Sequence, residues 1–451
     1  MDKSISKSKL ILALISLTIT FFVWQQGLKE SLNRPSVSFD ISQKEKEIAE
    51  LAMPAIPIKA KNFLITNDPI DEINITLSDI PFDELTERNK LIWIISKDFK
   101  EEIPTKYFGS FTNQNFQFAS QEIKKTFLDN SYKPKAELLN SFREDRFIYH
   151  LLSKKFQFND SELITNQLSE RMFIKLVAIR SIPIISIIFG TILVLRSLWL
   201  LISKRKIEWK EYKSLDLNLL DMVLLISGGF VVLGEVVSPI FSITLVELFS
   251  TRLSNELVQS LKIFIGYLFM AIPPLFIIFY QIKYLEGNYS FKKDYFQFNY
   301  LPIKDSILQG IKGWLMVIPF VLMVSLLMNN FIDNQNGSNP LLEIVLNNNN
   351  YFSFILLFLT TTLLAPLFEE IVFRGVLLPI LSRDFGIILG ITISSFIFAL
   401  AHLSISEMPP LFVLGIGLGI TRLISGRLLS SVVMHSLWNG LTFLNLLLLR
   451  T

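Results

Sequence analysis

Three sets of polar residues interrupt the apolar C-terminal part of this chain, and their types and spacings are those of acid–base chemistry. Glu369-Glu370-Ile371-Val372-Phe373-Arg374 lies inside a long apolar run. Positions four apart share a helix face, so Glu370 can pair with Arg374 while Glu369 points elsewhere. A desolvated, unpaired carboxylate becomes a better proton acceptor near neutral pH, which casts Glu369 as a general base and Glu370 with Arg374 as its orienting pair. The next apolar run ends in Phe398 and His402, also four apart, where a ring can pack beside an imidazole and fix its rotamer. The last run carries His435 and Asn439 on one face, an imidazole and an amide able to address one ligand atom, such as an oxyanion or a metal-bound water. Only three histidines occur in 451 residues, and two of them are in this block. Ionisable groups are costly in hydrocarbon and mark functional sites there.

The elements that must position these groups are membrane spans. Hydrophobic residues make up 51% of the chain and charged ones only 18%, with 39 phenylalanines, a composition that a soluble protein of this length rarely shows. The 43 basic and 40 acidic residues leave +3, so no basic field argues for nucleic acid as a partner. The absence of cysteine excludes disulfides, thiolate nucleophiles and cysteine-ligated zinc. The fold expected is an all-α polytopic membrane protein, with eight spans after an N-terminal anchor and a mostly helical soluble insert. The N-terminal run Leu10 to Trp24, preceded by Lys3, Lys7 and Lys9, reads as a signal anchor (residues 1–29), with a cleaved signal peptide as the alternative.

Residues 30–172 are charged and polar and contain no stretch long enough to span a bilayer. Lys135 to Leu152 and Asp160 to Met172 have helical spacing, whereas Phe63 to Ile65 and Ile73 to Leu77 look strand-like. Apolar runs then recur at about Ile182 to Ile202, Leu219 to Phe241, Leu261 to Tyr280, Trp314 to Met328, Phe352 to Leu381, Phe385 to Leu403, Leu411 to Ile424 and Leu428 to Leu449. They divide into transmembrane helices at 173–340 and a catalytic core at 341–451. The run from Phe352 to Leu381 exceeds the roughly 20 residues a bilayer needs, and Pro366 and Pro379 inside it could break it.

Lysine and arginine set the expected orientation. With the N-terminus in the cytoplasm, the inner loops hold Lys204, Arg205, Lys206, Lys210 and Lys213, then Lys283, Lys292, Lys293 and Lys304, then Arg383, Arg422 and Arg427. The outer loops Asn329 to Asn350 and Ser404 to Pro410 have none. The soluble region is therefore expected outside. Counted from the inner loops at about 1.5 Å per residue, Glu369 is about 21 Å deep, His402 about 26 Å and His435 only about 12 Å, so their convergence requires tilt, a bent helix or a loop beyond the lipid.

Taken in order, Glu369-Glu370-x-x-x-Arg374, Phe398-x-x-x-His402 and His435-x-x-x-Asn439 resemble the signature of the CAAX-protease and bacteriocin-processing (CPBP, or Abi) family of intramembrane proteases. The text from Ala365 to Gly375 is similar to that family's core, and the resemblance covers about Tyr351 to Leu449. It implies an endopeptidase that cleaves a membrane-associated peptide or protein. Glu369 and His402 would activate water, and His435 with Asn439 would hold the developing oxyanion. The family is also described as metalloproteases, which would make Glu369, His402 and His435 zinc ligands. A metal-free glutamate mechanism is the alternative, and no His-Glu-x-x-His motif decides between them. Rival readings are a scaffold or peptide-immunity protein on the same fold and a transporter, although no inverted repeat of interrupted helices is visible. Gly415, Gly417 and Gly419 read as a helix-packing run, Glu235 as structural within its span, and His150 as an ordinary histidine of the soluble region.

Overall fold

The computed structural model describes residues 7–34, 37–97, 103–129, 132–158, 166–203, 209–210, 214, 217–250, 253–286, 303–331, 340–348 and 350–450. Among these, every regular element is helical. Expectations placed on 160–165, on Lys3, on the loop cations Lys204, Arg205, Lys206, Lys213, Lys292 and Lys293, and on 332–339 and 349 of the expected outer loop lie outside the described residues. The chain divides into two compact units, Ser38–Pro183 with Leu448–Thr451, and Met1–Val37 with Ile184–Leu447.

The first of these units is a helical domain built from α2 (Val37–Ala52), α3 (Ile58–Leu64), α4 (Pro69–Ser78), α5 (Glu87–Ser96), α6 (Gln114–Leu128), α7 (Ala136–Asn140), α8 (Arg146–Phe156) and the start of α9 (Asn166–Ile202). The strand-like reading of Phe63 to Ile65 and Ile73 to Leu77 is corrected here. Asp68 accepts hydrogen bonds from the backbone of Ile70 (2.9 Å) and Asp71 (3.3 Å), and Pro69 follows it, a strong helix start. Pro69, Ile73 and Leu77 then fall on one buried face at spacings of four. Short alternation of apolar residues is ambiguous, and the cap decides it. Ile48, Leu91, Ile92, Phe147 and Leu152 form the fully buried centre.

The second unit contains α1 (Lys7–Ser31), α10 (Leu219–Ser250), α11 (Asn255–Glu286), α12 (Ile303–Phe331), α13 (Pro340–Asn347), α14 (Tyr351–Phe385), α15 (Ile387–Leu400), α16 (Met408–Ser425) and α17 (Leu428–Leu448). Among the described residues, eight helices are long and apolar enough to cross a membrane: α1, α9, α10, α11, α12, α14, α16 and α17. This is an all-α, multi-pass membrane protein. The expected span from Phe385 to Leu403 is shorter than anticipated: α15 has 14 residues, about 21 Å of rise against a hydrocarbon core of about 30 Å. It starts after Gly386, whose φ of 85° ends the preceding helix, and stops before His402.

Inside-out packing marks the membrane helices. Helix α1 exposes Leu10, Leu14, Phe21 and Phe22 and buries Ala13, Ser16 and Thr20, large apolar groups outward and small or polar ones inward. Close approaches depend on small residues elsewhere too. A Cβ on Gly415 would meet Ser395 at 2.9 Å, one on Gly417 would meet Val317 at 2.7 Å, and one on Gly419 would meet Ile391 at 3.3 Å. The glycine run thus lets α16 lie against α12 and α15.

Among the described residues, three stretches are wound as π-helix: 224–237 in α10, and 360–364 and 371–377 in α14. Each is closed by a residue that directly precedes a proline: Ser238 N–H donates to Leu233 O ahead of Pro239, Ala365 to Thr360 O ahead of Pro366, and Leu378 to Phe373 O ahead of Pro379. A proline lacks the N–H for the usual carbonyl four residues back and crowds it, and the wider π turn accommodates both defects. The two prolines in the long run therefore widen it locally. Glu369 and Glu370 occupy the short α-helical segment between its two π turns.

Candidate functional site

The glutamate pair is presented by the α-helical segment Ala365–Glu370, and its two members have different partners. Glu370 is fully buried; its Oε1 lies 3.1 Å from Arg374 Nη1 and 3.1 Å from His435 Nδ1. Arg374 also donates through Nη2 to Gly415 O at 3.2 Å. Glu369 is less enclosed, and Tyr267 of α11 donates its hydroxyl hydrogen to Oε1. Oε2 of Glu369 stands 3.9 Å from His435 Nε2, too far for a direct hydrogen bond, and has no hydrogen-bond partner among the described protein groups. Glu370, itself paired with Arg374, thus holds His435, whereas Tyr267 holds Glu369.

Phe398 is the hub on which the three motifs meet. The Arg374 guanidinium carbon lies 4.2 Å from its ring centre, and the rings of His402 and His435 approach it edge-on at 4.8 and 5.6 Å. Stacking lowers the cost of enclosing a guanidinium that has few hydrogen-bond acceptors. His402 sits in the turn beyond α15, and its Nδ1 lies 2.8 Å from Phe398 O. A carbonyl only accepts, so Nδ1 carries the hydrogen and the neutral ring presents a lone pair at Nε2. By the same argument His435 donates from Nδ1 to Glu370 and turns Nε2 toward Glu369. Asn439 donates through Nδ2 to Thr361 O at 2.9 Å, in the first π turn of α14.

The convergence of His435 with the glutamates resolves the mismatch in counted depth. That count took Arg427 and Arg383 as marks of the membrane edge. Arg427 instead reaches Ser306 Oγ at 3.3 Å, Arg422 is fully buried, and Lys210 N donates to Leu423 O, so this turn is folded into protein. The end of α14 is likewise buried from Leu378 to Ser382.

A zinc ion would need three or more donors on one centre. Among the described residues, no group of three or more histidine, aspartate or glutamate side chains is placed to hold a metal ion, so Glu369, His402 and His435 do not form such a set. Glu370 and His435 Nδ1 are already joined to each other. The donor arrangement does not fit a bound zinc.

Tyr267 was not legible as a site residue, since it is one aromatic among many in an apolar run some hundred residues before Glu369. Glu235, read as structural, accepts a 3.4 Å hydrogen bond from Trp24 Nε1 of α1. His150 is buried in the helical domain, 3.1 Å from Glu50.

Residues 351–441 match the family of type II CAAX prenyl endopeptidases described as Rce1-like. The chain carries an Rce1-like domain. This stretch holds Glu369, Glu370, Arg374, Phe398, His402, His435 and Asn439 and is consistent with the CPBP proteases. Residues 38–174 match a domain of unknown function, DUF8675. No curated protein and no solved structure matches the chain. The Rce1-like domain associates this integral membrane protein with the CAAX-type intramembrane proteases. Tyr267, Trp24 and Glu235 lie outside the Rce1-like stretch.

Proposed function

We propose that the chain is an intramembrane endopeptidase that hydrolyses a peptide bond in a membrane-associated peptide or protein, with Glu369 as general base. The observation that carries this reading is the asymmetry of the Glu369 carboxylate: Oε1 is held by Tyr267, while Oε2 is unpartnered and faces His435 Nε2 at 3.9 Å. A water within reach of Oε2 gives it a proton while its oxygen bonds to the scissile carbonyl carbon. His402 Nε2 is the second acceptor for that water. The proton passes from Glu369 to His435 Nε2, leaving a ring that donates from both nitrogens and is held by Glu370 through Nδ1. That ring and the second N–H of Asn439 stabilise the oxyanion. Collapse of the intermediate breaks the C–N bond, and the departing amine takes the proton.

The positive-inside pattern supports a cytoplasmic N-terminus and a helical domain outside the cytoplasm. The test is to compare membrane peptides in cells carrying the wild-type chain or Glu369→Gln. A peptide pair that disappears, with its precursor accumulating, is the expected result. Identical profiles with equal protein levels would return the scaffold or immunity reading.

A further inference from the structure

We propose that helix α1, which lies far outside the Rce1-like stretch, positions the turn that carries His402. The proposal deepens the peptidase reading and rests on it for the role of His402. One face of α1 carries Ala13, Ser16, Thr20, Trp24, Gly27 and Ser31, at intervals of three and four residues. Its upper part grips α10: Lys9 pairs with Asp221, Thr20 donates to Ser227 O (3.3 Å) and Trp24 to Glu235 (3.4 Å). Its lower part and the turn that follows it meet the His402 turn. Ser31 Oγ accepts from Ile405 N at 3.3 Å, and Arg34 Nη1 lies 3.5 Å from Leu403 O. A Cβ placed on Gly27 would stand 2.8 Å from Leu403 Cδ1 and 3.3 Å from its Cγ, so the absent side chain is the seat of Leu403.

Leu403 has a φ of 49°, a left-handed conformation that a leucine resists. Such backbone persists where neighbours over-determine it, and here Gly27 and Ser31 of α1 take the residue's side chain and the amide two positions on, while Arg34, just past the end of α1, takes its carbonyl. The geometry matters because, among the described residues, the His402 ring has one hydrogen bond, Nδ1 to Phe398 O, and packs on the ring of the same residue, so the direction of Nε2 depends on where the turn is held.

The chain has no cysteine, so the double variant Gly27→Cys/Leu403→Cys can be oxidised in the full-length protein in nanodiscs and its bridged peptides identified by mass spectrometry. The bridge is expected to form. Gly27→Leu is expected to change the rate at which diethyl pyrocarbonate acylates His402, with His435 unaffected, and to lower kcat roughly tenfold or more at unchanged KM. Adding Leu403→Ala, which opens space for the new side chain, is expected to restore both. Absence of the bridge, or an acylation rate at His402 that does not respond to Gly27→Leu, overturns the proposal. If bridge and acylation behave as stated while the wild-type protein cleaves nothing, the peptidase reading falls and the clamp stands.

Discussion

Arg88 in the helical domain and Arg374 in the membrane unit each lie against carboxylates, yet they are used in opposite ways. Arg88 spends its fork on two acids, with bonds of 2.6 and 2.9 Å to Glu47 and 2.6 and 3.2 Å to Asp145. Asp145 in turn caps α8 through Ile148 N. Among the described residues, Arg374 makes one hydrogen bond to a carbonyl, one ion pair and a stack on Phe398, and beside it a carboxylate oxygen of Glu369 has no protein partner. A saturated cluster ties helices together. An unsaturated one in apolar surroundings is expensive to keep and is suited to a substrate or water.

The comparison can be broken most directly at Glu369. Glu369→Gln is expected to lower peptide release by about 10²–10⁴-fold, as for the loss of a general base, with an unchanged unfolding temperature. A large loss of stability instead would make the site structural, like Arg88. Arg88→Met should do the reverse, destabilising the full-length protein by about 3 kcal/mol because Glu47 and Asp145 lose their partner. Its activity per folded molecule should be unchanged, measured by unfolding and by peptide release in nanodiscs. Tyr267→Phe sharpens the contrast, since it removes one hydrogen bond from a charged group: a kcat loss of about tenfold at constant KM is expected.

The smallest effect is a pH dependence confined to the helical domain. Burial alone raises the pKa of Asp145, but Arg88 overrides it and holds the carboxyl below its ordinary value. Burial likewise opposes Glu50, and the hydrogen bonds from His150 and Lys154 bring it below its ordinary value. Groups with a lowered folded pKa add stability that is complete above the ordinary carboxylate range and is lost as pH falls through the lowered values. Acid unfolding of that domain, followed by intrinsic fluorescence, should become shallower in Asp145→Asn and in Glu50→Gln. An unaltered slope in both would remove these carboxylates from the stability of the domain.

The motif residues were legible because their pairing is local: four-residue spacings fix Glu370 to Arg374 and Phe398 to His402 whatever surrounds them. The spans were legible from apolar length, except α15, whose run looks long enough until Gly386 and the turn at His402 cut it. The contacts that join the motifs were hidden. Tyr267 reaches Glu369, and Gly27 seats Leu403, through approaches that no local spacing encodes. The strand-like reading of Ile73 to Leu77 gave way to a cap at Asp68 and Pro69, a nearer signal than alternation. The division of roles also moved, since Glu370 turned out to bond His435, which depends on how α14 and α17 cross.

The π turns of α14 have a genetic consequence. Each accommodates one residue beyond α-helical register, so a one-codon deletion among 375–377 can be absorbed by a return to ordinary winding with the end of α14 kept in place, whereas a deletion in an α-helical stretch rotates the residues beyond it by about 100°. A deletion among 371–373 instead places the arginine three positions from Glu370 rather than four and turns it to a different neighbour, while the glutamate pair stays where it is. Single-codon deletions across 351–385 are therefore expected to be tolerated for membrane insertion yet to separate into two phenotypes, those that leave the arginine beside Glu370 and those that swing it away.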